Sequence, residues 1–393
     1  VALGYLSIVL HAHLPFVNHG NDPRPHRDDW LLEALVESYI PLFQSWHRLV
    51  EERVPFRLTF SISPTLLGML RAPSVQERCR QHLGALVRLA DRELERTRKW
   101  PDFRAIAEMY REQLGQAQTF FVDRWGSNLT ECLRAMMQAG NLEVITTAAT
   151  HGFLPGLKAD DNAVRSQVMV ALDLYAEVFG NRPQGFWVPE CGYYPGLEEA
   201  LEGEGIRYFL VDTGALVKSR PRPKYGFHAP VYTQSGVAAF ARDPVASEQV
   251  WSSIIGYPGD HDYREFYRDI GHDLDYGYLA PYLPPDGSRK DTGFKYYRIT
   301  GPGKEKQIYR RDRALSKAGL HSGHFLELCR QRVGALSLQL ERRPVIVAPF
   351  DAELFGHWWF EGPEWLEYLI RKVVFDQDVI ALITPSDYLN LYP

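Results

Sequence analysis

A β/α fold, barrel-like and irregularly closed, is what this 393-residue chain predicts, and three observations carry the prediction. Short apolar runs alternate with helical patterns. Several runs are apolar throughout, as strands buried on both faces are. Polar, reactive side chains then collect where the runs end. The strand candidates are residues 4–10, 56–62, 142–146, 185–188, 208–211, 345–348 and 380–384. Their ends carry His11 with His13, Ser61 with Ser63, Thr150 with His151, Glu190, Asp212, Asp351, and Ser386 with Asp387. A barrel assembles its site at the carboxyl ends of many parallel strands, whereas a doubly wound sheet uses one switch point. About seven strands are therefore expected.

The helices follow the same order. Asp28 and Asp29 open a pattern that runs to about Arg53, and Pro64-Thr-Leu-Leu starts a second. Others cover 162–179, 197–204, 312–340 and 363–375, with Pro or acidic residues near several starts. Two stretches depart from the alternation. Residues 72–139 read as a helical insertion after the second strand, with the charge run Asp91-Arg-Glu-Leu-Glu-Arg-Thr-Arg-Lys99 as a solvated face and Trp100-Pro101 as a break. Residues 214–310 are rich in Gly, Pro and Tyr and read as long loops over the active site. Residues 1–393 are expected to form one catalytic barrel carrying both additions.

Composition narrows the function. The net charge is −5, with no basic stripe to suit nucleic acid and no apolar run near the ~20 residues of a membrane span. The first ten residues lack a basic leader and run straight into His11, so they read as a buried strand, and the cytoplasm is the expected compartment. Cys79, Cys132, Cys191 and Cys329 show no paired spacing, in keeping with a reducing compartment. Cys191, beside Glu190, is expected to pack rather than to act as a nucleophile. No phosphate-binding glycine loop or serine-hydrolase elbow occurs.

The strongest chemical signal lies in Phe186-Trp-Val-Pro-Glu190-Cys-Gly-Tyr-Tyr-Pro195 and in Val347-Ala-Pro-Phe-Asp351-Ala-Glu-Leu-Phe-Gly-His357-Trp358-Trp359-Phe360. Each ends an apolar run in a carboxylate and then gathers aromatic rings. A carboxylate in such company costs free energy unless it has a task, and the common task for two is acid, base or nucleophile at a sugar. Glu353 competes with Asp351. Alternation would put both on one face only if extended structure continued past the strand end, so Asp351 is preferred. His11-Ala-His13 brings two imidazoles to one face of an extended segment. Such a pair, or His151 with Asp212, can ligate metal, but no third ligand stands at a diagnostic spacing, and hydrogen bonding of sugar hydroxyls is expected instead. Nine Trp and 21 Tyr, some clustered beside both carboxylates, fit ring stacking on sugars, with plain core packing as the alternative.

Four ordered motifs carry a family resemblance: His11-Ala-His13-Leu-Pro-Phe; Gly140-Asn-Leu-Glu143 with His151; Trp187-Val-Pro-Glu190-Cys; and Phe350-Asp351-Ala-Glu-Leu-Phe-Gly-His357-Trp358-Trp359. Together they resemble glycoside hydrolase family 57, in particular its 1,4-α-glucan branching members. The resemblance implies an incomplete (β/α)7 barrel and a retaining mechanism without metal or other cofactor. In it Glu190 matches the nucleophile and Asp351 the general acid/base, which should stand about 5–5.5 Å apart. His11, His13 and His151 match residues that hold the sugar beside the cleaved bond. Tyr257, in the loop 256–260, matches a lid residue over the cleft. With Trp187, His357, Trp358 and Trp359 these complete the expected substrate-binding set. The expected partner is an α-glucan, bound by a monomer. An α-1,4-glucan hydrolase or 4-α-glucanotransferase is the nearest alternative, then an inactive glucan binder, then a metal-dependent deacetylase on a related barrel. Branching members carry a fifth motif of Ser-Ser-Trp-Gly type in a helical region beyond the barrel. It does not occur in these 393 residues, and a cleft lacking its tryptophan would admit water, favouring hydrolysis or losing activity.

Overall fold

The computed structural model describes residues 2–17, 29–252, 255–284, 286–301, 303 and 305–393. Asp28, half of the first expected helix start, lies outside the described residues. Among the described residues there are nine strands: β1 (Gly4–Ala12), β2 (Leu58–Ile62), β3 (Leu142–Thr147), β4 (Gly185–Trp187), β5 (Tyr208–Val211), β6 (Val231–Tyr232), β7 (Ala238–Ala241), β8 (Val345–Asp351) and β9 (Ile380–Leu382). They form one sheet in the order β6-β7-β5-β4-β3-β2-β1-β8, with β9 pairing off the path onto β1. All pairings but β6–β7 are parallel. The seven strands from β7 to β8 therefore curl into an incomplete (β/α)7 barrel. β7 and β8 share no ladder. Single hydrogen bonds from Asp243 N–H to Val347 O (2.7 Å) and from Val345 N–H to His228 O (2.8 Å) tie that gap.

Burial explains the apolar runs. Every residue of β1, β2 and β5 is buried, because helices cover one face and the barrel interior fills the other. Helix starts are set locally. Ser63, Asp243 and Thr384 each accept a hydrogen bond from a first-turn N–H, and each is followed by proline, whose missing N–H costs nothing there. The interior is tight at Gly185, where a Cβ would stand 2.1 Å from the Tyr208 ring. The first long helical segment is not uniform. A π-helical turn, Leu35–Tyr39, separates Asp29–Ala34 from Ile40–Glu51.

Three expectations are corrected. The run 380–384 is not a barrel strand: β9 only flanks β1, and the seventh place belongs to β7, whose Ala-Ala-Phe-Ala sequence lacks β-branched residues and sits inside the supposed loop region. Ser386 and Asp387 lie at the opposite end of the barrel from the other run-ends. Ser386 Oγ donates to Glu143 at 2.5 Å near the start of β3, and Asp387 binds Arg57, just before β2, at 2.7 Å. The charge run 91–99 is not wholly solvated. Glu93 is buried, with Arg96, Tyr278 and Tyr296 donating to it at 2.6 to 2.8 Å, so it pins the segment 276–297 onto the helices of residues 72–139. Those helices are Pro73–Arg96, Pro101–Gln118 and Leu129–Gln138, broken at Trp100-Pro101. Among the described residues no helix is long and apolar enough to cross a membrane.

Candidate active site

Register brings the site together. Cα pairing aligns His11 of β1 with Asp351 of β8 on one side and with Ser61 of β2 on the other, at the carboxyl ends of the three strands. β3 and β4 continue the row to Trp187, which pairs with Thr147. Beyond β4 the chain turns abruptly. Glu190 and Cys191 both have φ of +53°, as does His151 after β3, a left-handed backbone that costs a side-chain-bearing residue roughly 1–3 kcal/mol. Of the five non-glycine residues with positive φ among the described residues, these three stand at the cleft.

The cleft has a volume of about 960 Å³, within the span of small-molecule sites. His11, His13, His151, Trp187, Glu190, Asp351 and Trp358 of the expected set all line it. The three imidazoles form a stack: His11 to His151 centroids are 4.9 Å apart, His13 to His151 4.0 Å, and His11 lies over Trp187 at 4.6 Å with ring planes within 7°. His11 Nδ1 bonds Ser61 Oγ at 3.0 Å, and His11 Nε2 faces His151 Nε2 at 2.8 Å, so one of those nitrogens carries the proton the other accepts. Burial and mutual repulsion hold His11 well below the usual imidazole range and His13 down at about 4, and burial also lowers His151 against the pull of Glu190. At neutral pH the trio is uncharged and suited to both donating to and accepting from hydroxyls. Among the described residues no group of three or more His, Cys, Asp or Glu is placed to hold a metal ion.

The carboxylates divide by environment. Asp351 is pushed up to about 6, first by burial and then by the negative charge of Glu190, against the guanidinium of Arg242. Glu353 is partly buried, and that burial pushes it up to about 8. Its Oε1 accepts the His13 N–H at 3.1 Å and the Tyr39 hydroxyl. Asp351 therefore exchanges protons near neutrality, while Glu353 stays protonated there and braces the His13 backbone.

Three expected substrate-binding residues stand off the cleft wall. Tyr257 is 6% exposed; its hydroxyl bonds His324 Nδ1 at 2.7 Å and its ring stacks on His321. Trp359 is 1% exposed, packed among Tyr263, Phe355 and Trp365. His357 is buried behind Trp358, its Nδ1 2.5 Å from Glu37. Alternation along the Trp-Trp pair explains the split: Trp358 turns outward, 52% exposed and stacked on Phe266, and Trp359 turns inward. The reasoning from sequence missed Trp30, Trp251, Tyr267 and Arg242, all on the cleft. Arg242 follows β7 directly, so it sits at a strand's carboxyl end like the others and was hidden only because that strand was. Tyr267 is 81% exposed at the mouth, four residues beyond Tyr263.

Comparison with known proteins identifies the family. The sequence profile of glycosyl hydrolase family 57 matches residues 7–278. A 1,4-α-glucan branching enzyme of Thermococcus kodakarensis is 33% identical over 99% of this chain, and a probable 1,4-α-glucan branching enzyme of Mycobacterium tuberculosis is 30% identical over 94%. The chain spans 58% of the length of the first and 68% of the second. Among solved structures, an α-amylase from Thermotoga maritima superposes with a TM-score of 0.95 at 40% identity, covering 99% of this chain and 75% of that one. A branching enzyme from Pyrococcus horikoshii superposes at 0.85 and 30% identity, covering 100% and 71%. With its barrel, its paired carboxylates and this match over more than half its length, the chain belongs to glycosyl hydrolase family 57.

Proposed function

We propose that the protein is a retaining enzyme of α-1,4-glucans that forms α-1,6 branches. The observation that carries the reading is the unlike carboxylate pair: Glu190 exposed to the cleft, and Asp351 raised to about 6 beside it. Glu190 attacks the anomeric carbon, and the bond to the departing oxygen breaks as Asp351 gives that oxygen its proton. Asp351, now a base, takes a proton from the incoming acceptor, whose oxygen displaces Glu190. A glucan 6-hydroxyl as acceptor gives a branch; water gives hydrolysis. His13 and His151 bind the hydroxyls of the sugar at the reacting carbon, His11 orients His151 because its own two nitrogens are taken by Ser61 and His151, and Trp187 and Trp358 supply apolar faces. Tyr267 and Trp251, at the mouth, take the water-excluding role that Tyr257 cannot perform from its buried position.

Two relatives described as known or probable branching enzymes, at 33% and 30% identity, support branching. The Thermotoga α-amylase, at 40% identity, favours a second reading in which water is the main acceptor. Incubation with amylose, with and without EDTA, separates them: proton NMR follows α-1,6 linkages while reducing ends are counted. New α-1,6 signal with few reducing ends, indifferent to chelator, is the expected result. Reducing ends without branches would establish the hydrolase, and neither product would sink the enzymatic reading.

A further inference from the structure

A second cavity, of about 170 Å³, lies behind the cleft wall, between the helix Pro101–Gln118, the π-turn Leu35–Tyr39 and the segment 290–294. At about 10–15 Å³ per water it has room for roughly 11 to 17 waters, and so for one hexose ring. Its chemistry is that of a polyol site. Tyr110, Phe294 and Phe360 offer apolar faces, and Gln44, Gln113 and Gln116 offer amides that both donate and accept. Five carboxyl side chains against three of Lys and Arg line it, which disfavours an anion. The carboxylates are largely paired already, Glu364 with Arg311, Glu367 with Arg48 and Arg371, and Glu37 with His357, which disfavours a metal cation.

Arg264 supplies the independent sign of a ligand. Its side chain lines both this cavity and the cleft and is only 5% exposed. One Nη donates to Tyr110 Oη at 3.0 Å and to Gly293 O at 3.3 Å, and the guanidinium lies 3.8 Å over Phe360, yet its Nε has no partner among the described residues. An orphan donor on a buried guanidinium is unfavourable unless something accepts from it.

The cavity also has a mechanical link to the reacting groups. Val36 and Glu37 of the π-turn line it, while their neighbours grip the catalytic loop. Ser38 Oγ donates to Glu353 O at 3.3 Å and accepts from His357 N–H at 3.2 Å, and Tyr39 bonds Glu353, two residues from Asp351. π-turns within helices recur at functional sites.

We propose that this cavity is a second saccharide site, for a neutral hexose, whose occupancy is transmitted through Leu35–Tyr39 to the loop carrying Asp351. This rests on the glucan reading of the cleft and deepens it: sugar released by hydrolysis, or a chain end, would report back on turnover. Fluorine NMR of 6-deoxy-6-fluoroglucose titrated into the whole protein counts bound environments directly. Two saturable environments are expected in the wild type. One should vanish in Ala117→Phe and in Gln113→Trp, two positions on one helix that line the cavity and not the cleft, with folding checked by circular dichroism. Added glucose should also change the apparent affinity for maltooligosaccharide in the wild type by about fivefold beyond the plain competition at the cleft that the filled variants retain. A single environment that survives both substitutions would overturn the second site and leave the cleft reading standing. No bound sugar with amylose still turned over would do the same, whereas no bound sugar and no turnover would defeat both. Density in a glucose-soaked crystal gives the decision without a variant: an empty cavity beside an occupied cleft refutes the proposal.

Discussion

Arg242→Met should move the alkaline limb of the pH–activity profile upward. In the first chemical step Asp351 must hold its proton, so kcat/KM should fall above the Asp351 value of about 6, tenfold per pH unit. Arg242 is the one neighbour that opposes burial and Glu190 in setting that value. Its Nη2 lies 3.8 Å from Cys191 Sγ and its Nε 4.0 Å from Asp212, and a third of the side chain meets solvent. A charge so placed is worth about 1–2 kcal/mol to a nearby carboxylate, less than a dry pair and more than a fully solvated one. That corresponds to roughly one pH unit. Loss of the cation also leaves Asp212 uncompensated, which acts in the same direction. The assay is kcat/KM for an aryl maltooligoside between pH 4 and 9, in variant and wild type, with binding of unreactive maltooligosaccharide measured alongside to separate affinity from titration. An unchanged limb, or one displaced downward, would refute the assignment of Asp351 as the acid that Arg242 tunes.

Other substitutions sort the remaining roles. Glu190→Gln should lower turnover of amylose by several orders of magnitude while the thermal melt holds, and a variant keeping most of its activity would end the nucleophile assignment. Asp351→Asn should fail on glucans yet recover in part on glycosyl fluorides, whose departure needs little protonation; equal losses on both would count against it. Glu353→Gln mimics the neutral acid and should retain most activity. Because burial raises Glu353 from about 4.5 unfolded to about 8 folded, its contribution to stability is intact below pH 4.5 and is lost as pH climbs to 8. The variant should therefore melt higher than wild type by a margin that grows over that window, reaching about 3 kcal/mol at pH 7; a pH-independent difference would contradict the protonated state. Tyr257→Phe should cost about 1 kcal/mol of stability and leave the ratio of transfer to hydrolysis alone, whereas Tyr267→Ala should raise hydrolysis; product analysis showing the reverse would restore the lid to Tyr257.

What could be read from the sequence followed from how strongly local chemistry constrains each residue. Strands buried on both faces announce themselves as unbroken apolar runs, so β1, β2, β3, β5 and β8 were legible, together with His11, Asp351 and, past β4, Glu190. β7 was not, because three alanines and one phenylalanine in a Gly- and Pro-rich neighbourhood have no strand periodicity of their own, and it is held by its neighbours β5 and β6. With it went Arg242. Trp359 and Tyr257 show the other limit. Aromatic rings adjacent in sequence to a site can serve the core behind it, and only the direction of the side chain separates the two uses. Glu93 shows the same for charge: a carboxylate inside a solvated-looking run is buried by tyrosines nearly two hundred residues away.

The pairing of β1 with β8 makes enzymatic activity a gauge of folding fidelity. His11 faces Asp351 because Tyr5 faces Val345, six residues earlier on the same ladder. A slip of one residue would turn every side chain of β8 to the opposite face, Asp351 included, while leaving the strand paired. Far-ultraviolet spectra would hardly notice such a misfold. The fraction of turnover regained after denaturation and dilution therefore measures how faithfully the chain finds its register, a quantity that the recovery of secondary structure alone would overstate.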